Sequence, residues 1–302
     1  MTFSYVARHQ LTCGRRCVVV VVLQGSPTNG TKVQGWTKWP FSNPQCLAQL
    51  WLVTPINGTA DSFTLQNLQG GLYLDLPEGK STNGNPLQGW QRAGNNQVWT
   101  IRKVGTFYRM QNAQGGTFVD LLYGGTANGT VIEGWEGEWS STVDEHQLWS
   151  FQLVSQTGTQ IANTLNANPI LKGHIVNYQL DGIYWVVDKD LVASIWTGAN
   201  LGVGKKYTLR PELFDQDDFV FTSKVQLAQW GSDNIRANGL NLLFGVALGV
   251  STAEGSGGQS CNVFLDSDLS TVLFFDAQTG KLLDPTAITS QNKRQNGRLR
   301  LK

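Results

Sequence analysis

The chain has 302 residues, a length that favours two domains; only 15% of them are charged, and it carries 34 glycines and eleven tryptophans at a formal net charge of +1. It is too apolar and aromatic to be disordered. Its four cysteines and three histidines form neither a disulfide scaffold nor a zinc cluster, and its charge balance gives no general reason to bind nucleic acid.

At the amino-terminal end, the first strand region, Met1–Arg16, does not share the resemblances described below. Arg15 and Arg16 precede Cys17-Val18-Val19-Val20-Val21-Val22-Leu23, which looks briefly like a signal peptide. The apolar run is at the short limit and no small-x-small cleavage site comes after it, so it reads as a strand whose five valines break the usual alternation. No run reaches the length of a membrane span. The location expected from this is cytoplasmic or non-classically secreted.

A repeat then dominates residues 15–153. Gln-x-Trp occurs at Gln49/Trp51, Gln97/Trp99 and Gln147/Trp149. Gly-Trp occurs at Gly35/Trp36, Gly89/Trp90 and Gly134/Trp135, each preceded by an Asn-Gly pair at Asn29, Asn83 and Asn128. Asn29, Asn57 and Asn128 are formal glycosylation acceptors, but Asn-Gly is also the strongest short hairpin-turn signal, and turn chemistry is the better explanation. Short alternating stretches such as Ser62–Leu65 and Thr117–Leu121 lie between turn residues every eight to twelve positions, the pattern of a compact all-β domain. Three such repeats, none able to bury its tryptophan alone, suggest a closed three-fold arrangement.

This pattern resembles the ricin-B-type β-trefoil, whose hallmark is one Gln-x-Trp per repeat. The resemblance implies a carbohydrate-binding domain over 1–153. Asp75 and Asp120 each lie fifteen residues before Trp90 and Trp135, and the equivalent of repeat one is Val21. Directly before each Gln-x-Trp stand Ala48, Asn96 and His146. A galactose-type sugar needs a carboxylate to accept from adjacent hydroxyls, an aromatic face for its C–H patch and a polar group for a further hydroxyl. The sites implied are Asp75, Trp90, Asn96 and Gln97 in repeat two, and Asp120, Trp135, His146 and Gln147 in repeat three. Repeat one offers Val21, Trp36, Ala48 and Gln49, without carboxylate or polar partner, which gives two competent sites and one that is not. The alternatives are turn capping for the aspartates and core packing for the Gly-Trp tryptophans; Trp51, Trp99 and Trp149 read as core.

After Trp149 the period stops. Residues 154–180 read as a helix or two with turns, and Phe214–Trp230 as a helix with Asp215 as N-cap and Phe219, Val220, Ala228 and Trp230 on its core side. Asn241–Val250 is a buried strand or helix and Ser270–Phe275 a buried strand, so the second half is α+β. Gly202–Lys206 has the wrong spacing for a phosphate-binding loop. Five of the last eleven residues are basic, which reads as a solvated tail over 291–302.

The stretches Asp181–Tyr184, Phe214–Phe219, Ala237-Asn238-Gly239, Gly245–Val250 and Phe274–Gly280, in that order, resemble the fungal agglutinin family of Marasmius oreades agglutinin and Polyporus squamosus lectin. There a β-trefoil precedes a papain-like cysteine protease domain, here 154–290. The resemblance implies a calcium-dependent protease with a Cys, a His and a Glu. At the corresponding positions stand Gln216, Gln259 and Asp276. An amide is neither nucleophile nor base, and the second half holds only Cys261, which reads as a small buried hydrophobe, and His174. The reading is therefore not an enzyme but a pseudo-protease, with Asp217 and Asp218 as candidate calcium ligands; an acidic helix start that complements the dipole is the alternative. The family also implies a homodimer. The expected function is a lectin for galactose-containing glycans of glycoproteins or glycolipids, and the alternative is a lectin-guided hydrolase with a rebuilt site.

Overall fold

The computed structural model describes residues 7–13, 18–172, 176–177, 182–202, 205–210, 213–252, 259–285, 288–290 and 300–301. They fall into two compact units, Met1–Val154 with Ile235–Asn238, and Ser155–Asn234 with Gly239–Lys302. No helix among the described residues is long and apolar enough to cross a membrane.

The first unit is built of β1 (Ala7–Cys13), β2 (Val18–Val22), β3 (Thr31–Thr37), β4 (Leu50–Pro55), β5 (Ser62–Asn67), β6 (Tyr73–Asp75), β7 (Asn85–Pro86), β8 (Gln88–Trp90), β9 (Trp99–Val104), β10 (Phe107–Asn112), β11 (Phe118–Leu121), β12 (Thr130–Trp135) and β13 (Trp149–Leu153). All their pairings are antiparallel. β1, β4, β5, β9, β10 and β13 close on themselves as a six-stranded barrel, since β13 returns to pair β1 at Cys13↔Trp149. The hairpins β2–β3, β6–β8 and β11–β12 form a triangular cap on it. Closure leaves no barrel edge to pair with another chain. This is the three-fold β architecture expected from the repeats.

The start of the chain is a correction. β1 is not unrelated to the repeats but the first strand of repeat one, and it pairs β2, β4 and β13. Its role follows from three-fold equivalence. Asn67 and Asn112 each donate through Nδ2 to the carbonyl before a Gln-x-Trp glutamine, of Ala48 and Asn96, and Cys13 reaches the carbonyl of His146 through Sγ at 3.6 Å. The five valines of β2 keep a hidden alternation. Val18, Val20 and Val22 belong to the barrel core, while Val19 and Val21 face the other way and are covered there too.

The Gln-x-Trp tryptophans are the centre of that core. Trp51, Trp99 and Trp149 are completely buried. Each indole Nε1 donates to a carbonyl in the first strand of its own repeat's cap hairpin, of Val20 at 3.1 Å, Leu74 at 3.0 Å and Val119 at 3.0 Å. The buried polar atom is thus satisfied in the same way three times.

The Asn-Gly pairs join the repeats in a ring. Gly30, Gly84 and Gly129 have φ of +84°, +81° and +89°, a region that favours glycine. Their N–H groups donate to the carbonyls of Gly89, Gly134 and Gly35, each in the next repeat. The asparagine side chains accept from the residue after each Gly-Trp: Gln91 N–H to Asn29, Glu136 N–H to Asn83 and Thr37 N–H to Asn128. Turn chemistry accounts for Asn29 and Asn128.

The second unit holds β14 (Ser155–Thr157), α1 (Gly158–Ala167), β15 (Val176–Asn177), β16 (Ile183–Trp185), α2 (Lys189–Gly198), α3 (Gln216–Asn234), β17 (Asn241–Leu242), β18 (Gly245–Thr252), β19 (Gln259–Leu265), β20 (Val272–Asp276), β21 (Lys281–Leu282), β22 (Ile288–Ser290) and β23 (Arg300–Leu301). The order in its larger sheet is β21-β20-β19-β18-β22, and β14-β16-β17 form a smaller one. Residues 154–180 are thus less helical than expected. β14 pairs β16, and among the described residues of this stretch only α1, opened by a Thr157–Gln160 capping box, is helix.

In α3, Asp215 precedes the helix as expected: its carboxylate accepts from Asp217 N–H, and its own N–H donates to Asp218. The core stripe differs. Phe219, Val220, Ser223, Leu227 and Gly231 are buried at helical spacing, while Ala228 is exposed and Trp230 half-buried. Ala228 falls one residue off a stripe that runs in steps of four.

Candidate functional site

Asp75, Asp120 and Val21 occupy one position in the three cap hairpins, opposite Gln88, Glu133 and Gln34 respectively. Each partner lies two residues before a Gly-Trp tryptophan, so the motif reads Gln-Gly-Trp twice and Glu-Gly-Trp once.

In repeat two, Asp75 is almost wholly buried, 1% exposed, yet its charge is met by three amides. Gln88 Nε2 donates to Oδ1 at 2.9 Å; Asn96 Nδ2 and Gln97 Nε2 donate to Oδ2 at 2.7 and 2.9 Å. A carboxylate offers about four lone-pair directions, so three donors leave one for a ligand hydroxyl. Gln97 also donates to the Gln91 carbonyl and accepts from Ala93 N–H. It therefore anchors the loop after Trp90, a half-buried residue two positions beyond Gln88 on β8. Of the four predicted residues of repeat two, Asp75, Asn96 and Gln97 are joined by hydrogen bonds, and Trp90 lies on the hairpin strand opposite Asp75. Gln88 was not among them.

Repeat three has the same frame with different charges. His146 Nδ1 lies 2.6 Å from Asp120 Oδ2, and Gln147 Nε2 donates to the same oxygen at 2.8 Å. Gln147 Oε1 accepts from Arg109, which is fully buried, packs over Phe118 and pairs with Asp144. Across the hairpin stands Glu133, also buried. Burial raises the Asp120 carboxyl above its ordinary value, against the hydrogen bonds of Gln147 and His146. Glu133 is raised by burial and by the charge of Asp120. Trp135 is half-buried, like Trp90. Glu133 and Arg109 were not foreseen, although the position before Gly-Trp carried the signal for the first.

In repeat one, Val21, Trp36 and Ala48 line a cavity of about 370 Å³ together with Leu23, Gln24, Trp39, Gln45 and Gln69. Gln49 keeps its anchoring role, donating to Thr37 O and accepting from Trp39 N–H.

In the second unit, Gln216, Ser260, Asp276 and Gln278 line one cavity of about 130 Å³. Two of the three expected positions, Gln216 and Asp276, are thereby brought together. The side chain of Gln259 lies outside the described residues, as do His174, the Gly255–Gly258 loop and nearly all of the basic tail. Asp276 accepts from Gln278 N–H and Thr279 Oγ1. Cys261 is buried, and its thiol is pushed up to about 12, chiefly by burial and further by Asp276. Such a thiol supplies no nucleophilic thiolate.

Asp217 and Asp218 meet a third carboxylate, Asp215, with ligand oxygens all within 4.8 Å of one another. Asp215 is held below its ordinary value chiefly by the hydrogen bond with the Asp217 carboxyl, and Asp217 is raised by the same contact.

Two family descriptions match the chain: ricin-type beta-trefoil lectin domain-like over residues 47–135 and agglutinin C-terminal over 184–282. A comparison with curated protein sequences found no match. Among solved structures, the chain is similar to Polyporus squamosus lectin bound to the human-type influenza-binding epitope Neu5Acα2-6Galβ1-4GlcNAc. Identity is 31%, over 93% of this chain and 95% of that one, with a TM-score of 0.81. It is also similar to the chain of a PSL1a–E64 complex, at 30% identity over 96% of this chain and 98% of that one, again with a TM-score of 0.81.

Proposed function

This chain belongs to the family of Polyporus squamosus lectin, with a ricin-type β-trefoil in its first half, and from that premise we propose that it is a lectin for galactose-containing glycans, bound at repeats two and three. The observation that carries the proposal is the pair of buried carboxylates, Asp75 and Asp120, each bonded by amide or imidazole groups, with a half-buried tryptophan on the paired hairpin strand. The carboxylate accepts from sugar hydroxyls, the donors hold it and bond the remaining oxygens, and Trp90 or Trp135 covers the C–H face. Hydroxyl recognition at such a buried acceptor is worth more than in water, because a sugar lacking that hydroxyl leaves the charge without its partner.

A glycan array tests this with the full chain and its Asp75→Ala and Asp120→Ala variants. Galactose-terminated glycans without acetamido sugars are expected to bind, each single variant to lose part of the signal and the double variant all of it. No binding by the parent chain contradicts the reading.

The second unit is, in this proposal, a papain-like scaffold that has lost its chemistry. An amide at Gln216 and a Cys261 thiol at about 12 support it, since neither attacks a peptide carbonyl near neutral pH. Peptide cleavage by the pure chain that disappears in Cys261→Ala defeats it. We propose a calcium site at Asp215, Asp217 and Asp218, three hard oxygen donors at close range, with water completing the shell. Bound there, calcium would offset the charge of the three clustered carboxylates and hold the start of α3. Thermal unfolding with calcium and with chelator checks it, and equal midpoints contradict it. A homodimer would present several weak sites together and gain avidity; sedimentation of the full chain gives its mass directly.

A further inference from the structure

We propose that the repeat-one cavity is a separate binding site, for an uncharged pyranose bearing an acetamido group. The inference rests on the reading of the trefoil as glycan-binding, and it concerns the one repeat that lacks the carboxylate.

The cavity, about 370 Å³, lies in the range of small-molecule sites, roughly 300–1,000 Å³. Its floor stands where the other repeats hold their sugar acceptors. Val21 replaces Asp75 and Asp120, and Ala48 replaces Asn96 and His146. Both are nearly buried, at 5% and 6% exposure. Gln49, whose equivalents bond the carboxylate, is spent here on Thr37, Trp39 and Gln10. A sugar diol pressed against this floor loses its water hydrogen bonds and finds no acceptor.

Repeat one has gained something in exchange. The Gln97 amide holds the N–H of Ala93, and the Gln49 amide holds that of Trp39, so the two residues are equivalent. An alanine in repeat two is thus a second indole in repeat one, and Trp36 and Trp39 both line the cavity. Gln24, Gln45 and Gln69 line it as well, and none of the described residues that line it is ionised. This set matches a ligand with a methyl group for Val21 and Ala48, a C–H face for the indoles, and an amide N–H and C=O for the glutamines. An acetamido sugar has all three on adjacent atoms, whereas a carboxylated or phosphorylated sugar gains nothing here.

The test uses the full chain carrying Asp75→Ala and Asp120→Ala, which isolates repeat one. N-acetylglucosamine and N-acetylgalactosamine are compared with glucose, galactose and methyl α-L-fucoside by ligand-observed NMR and tryptophan fluorescence. The acetamido sugars are expected to bind at least tenfold more tightly than the hexoses. Val21→Asp and, as a milder second variant checked for folding by circular dichroism, Ala48→Gln are each expected to lower that affinity at least tenfold. Equal binding of hexoses, undiminished binding in both floor variants, or equally tight binding of the fucoside, which has a methyl but no amide, overturns the assignment. If the parent chain binds galactose and the double variant binds no sugar, this inference falls while the reading of repeats two and three stands. Galactose binding that survives the double variant defeats that reading instead, and Ala48→Gln then decides this one.

Discussion

The barrel interior and the rim of the cap obey different rules in this molecule. Inside, the three repeats are the same: Trp51, Trp99 and Trp149 are each fully buried and each bond an equivalent carbonyl. At the rim the same three-fold axis relates a valine, an amide-ringed aspartate and an aspartate facing a glutamate. Interior positions close a ring on which all repeats depend, so a change in one is felt by all three. Rim positions hang on that ring without supporting it, and so were free to diverge into different chemistries.

The largest effect that would separate the two regions comes from tryptophan. Trp99→Ala leaves a large cavity and an unpaired Leu74 carbonyl and is expected to cost about 3–5 kcal/mol in denaturant unfolding. Trp90→Ala is expected to cost much less stability while abolishing binding at repeat two. Comparable losses of stability would erase the distinction.

Acid acts on the two regions with opposite meaning. His9, in the barrel wall, is held neutral by burial, its value lowered from 6.5 to about 4. Between those values the unfolded chain takes up a proton that the folded chain refuses, so stability falls as pH drops from 6.5 to 4. At 1.36 kcal/mol per unit the loss approaches about 3 kcal/mol. His9→Gln is expected to flatten that slope in unfolding curves measured across the window. At the rim, the Asp120 carboxyl is raised, so it loses its charge at a pH above the ordinary aspartate value. An Asp75→Ala chain, which reports repeat three alone, is expected to lose galactose affinity as pH falls through that raised value. A titration flat down to the ordinary aspartate range would contradict it.

Much of this was legible in the sequence, for reasons that separate along the same line. Gln-x-Trp, Gly-Trp and Asn-Gly are local motifs repeated in order, and they sufficed for the three-fold domain. β1 was not legible, because its meaning lies in pairing with β2, β4 and β13, the last far along the chain. Gln88 and Glu133 face their aspartates across a hairpin, a register that the sequence displays only once both strands are aligned. Arg109 gave no signal at all: a buried guanidinium paired with Asp144 and Gln147 looks like any strand arginine until the fold is seen. In the second half, the N-cap at Asp215 was readable from local chemistry, whereas the exposed Ala228 depended on the choice of stripe.

The smallest effect tests the joints between interior and rim. Asn83→Ala removes the acceptor for Glu136 N–H, a bond that ties repeat two to repeat three, and is expected to cost about 0.5–1.5 kcal/mol. A loss of several kcal/mol in thermal or denaturant unfolding would show the ring to be far more cooperative than its hydrogen bonds imply.

The central claim, that two rim carboxylates make two galactose sites and the third repeat none, is tested most directly by stoichiometry. Calorimetric titration of the full chain with a galactose-terminated oligosaccharide that carries no acetamido group is expected to give two sites per chain, one in Asp75→Ala or Asp120→Ala, and none in the double variant. Three sites in the parent chain, or binding that persists in the double variant, would contradict the account.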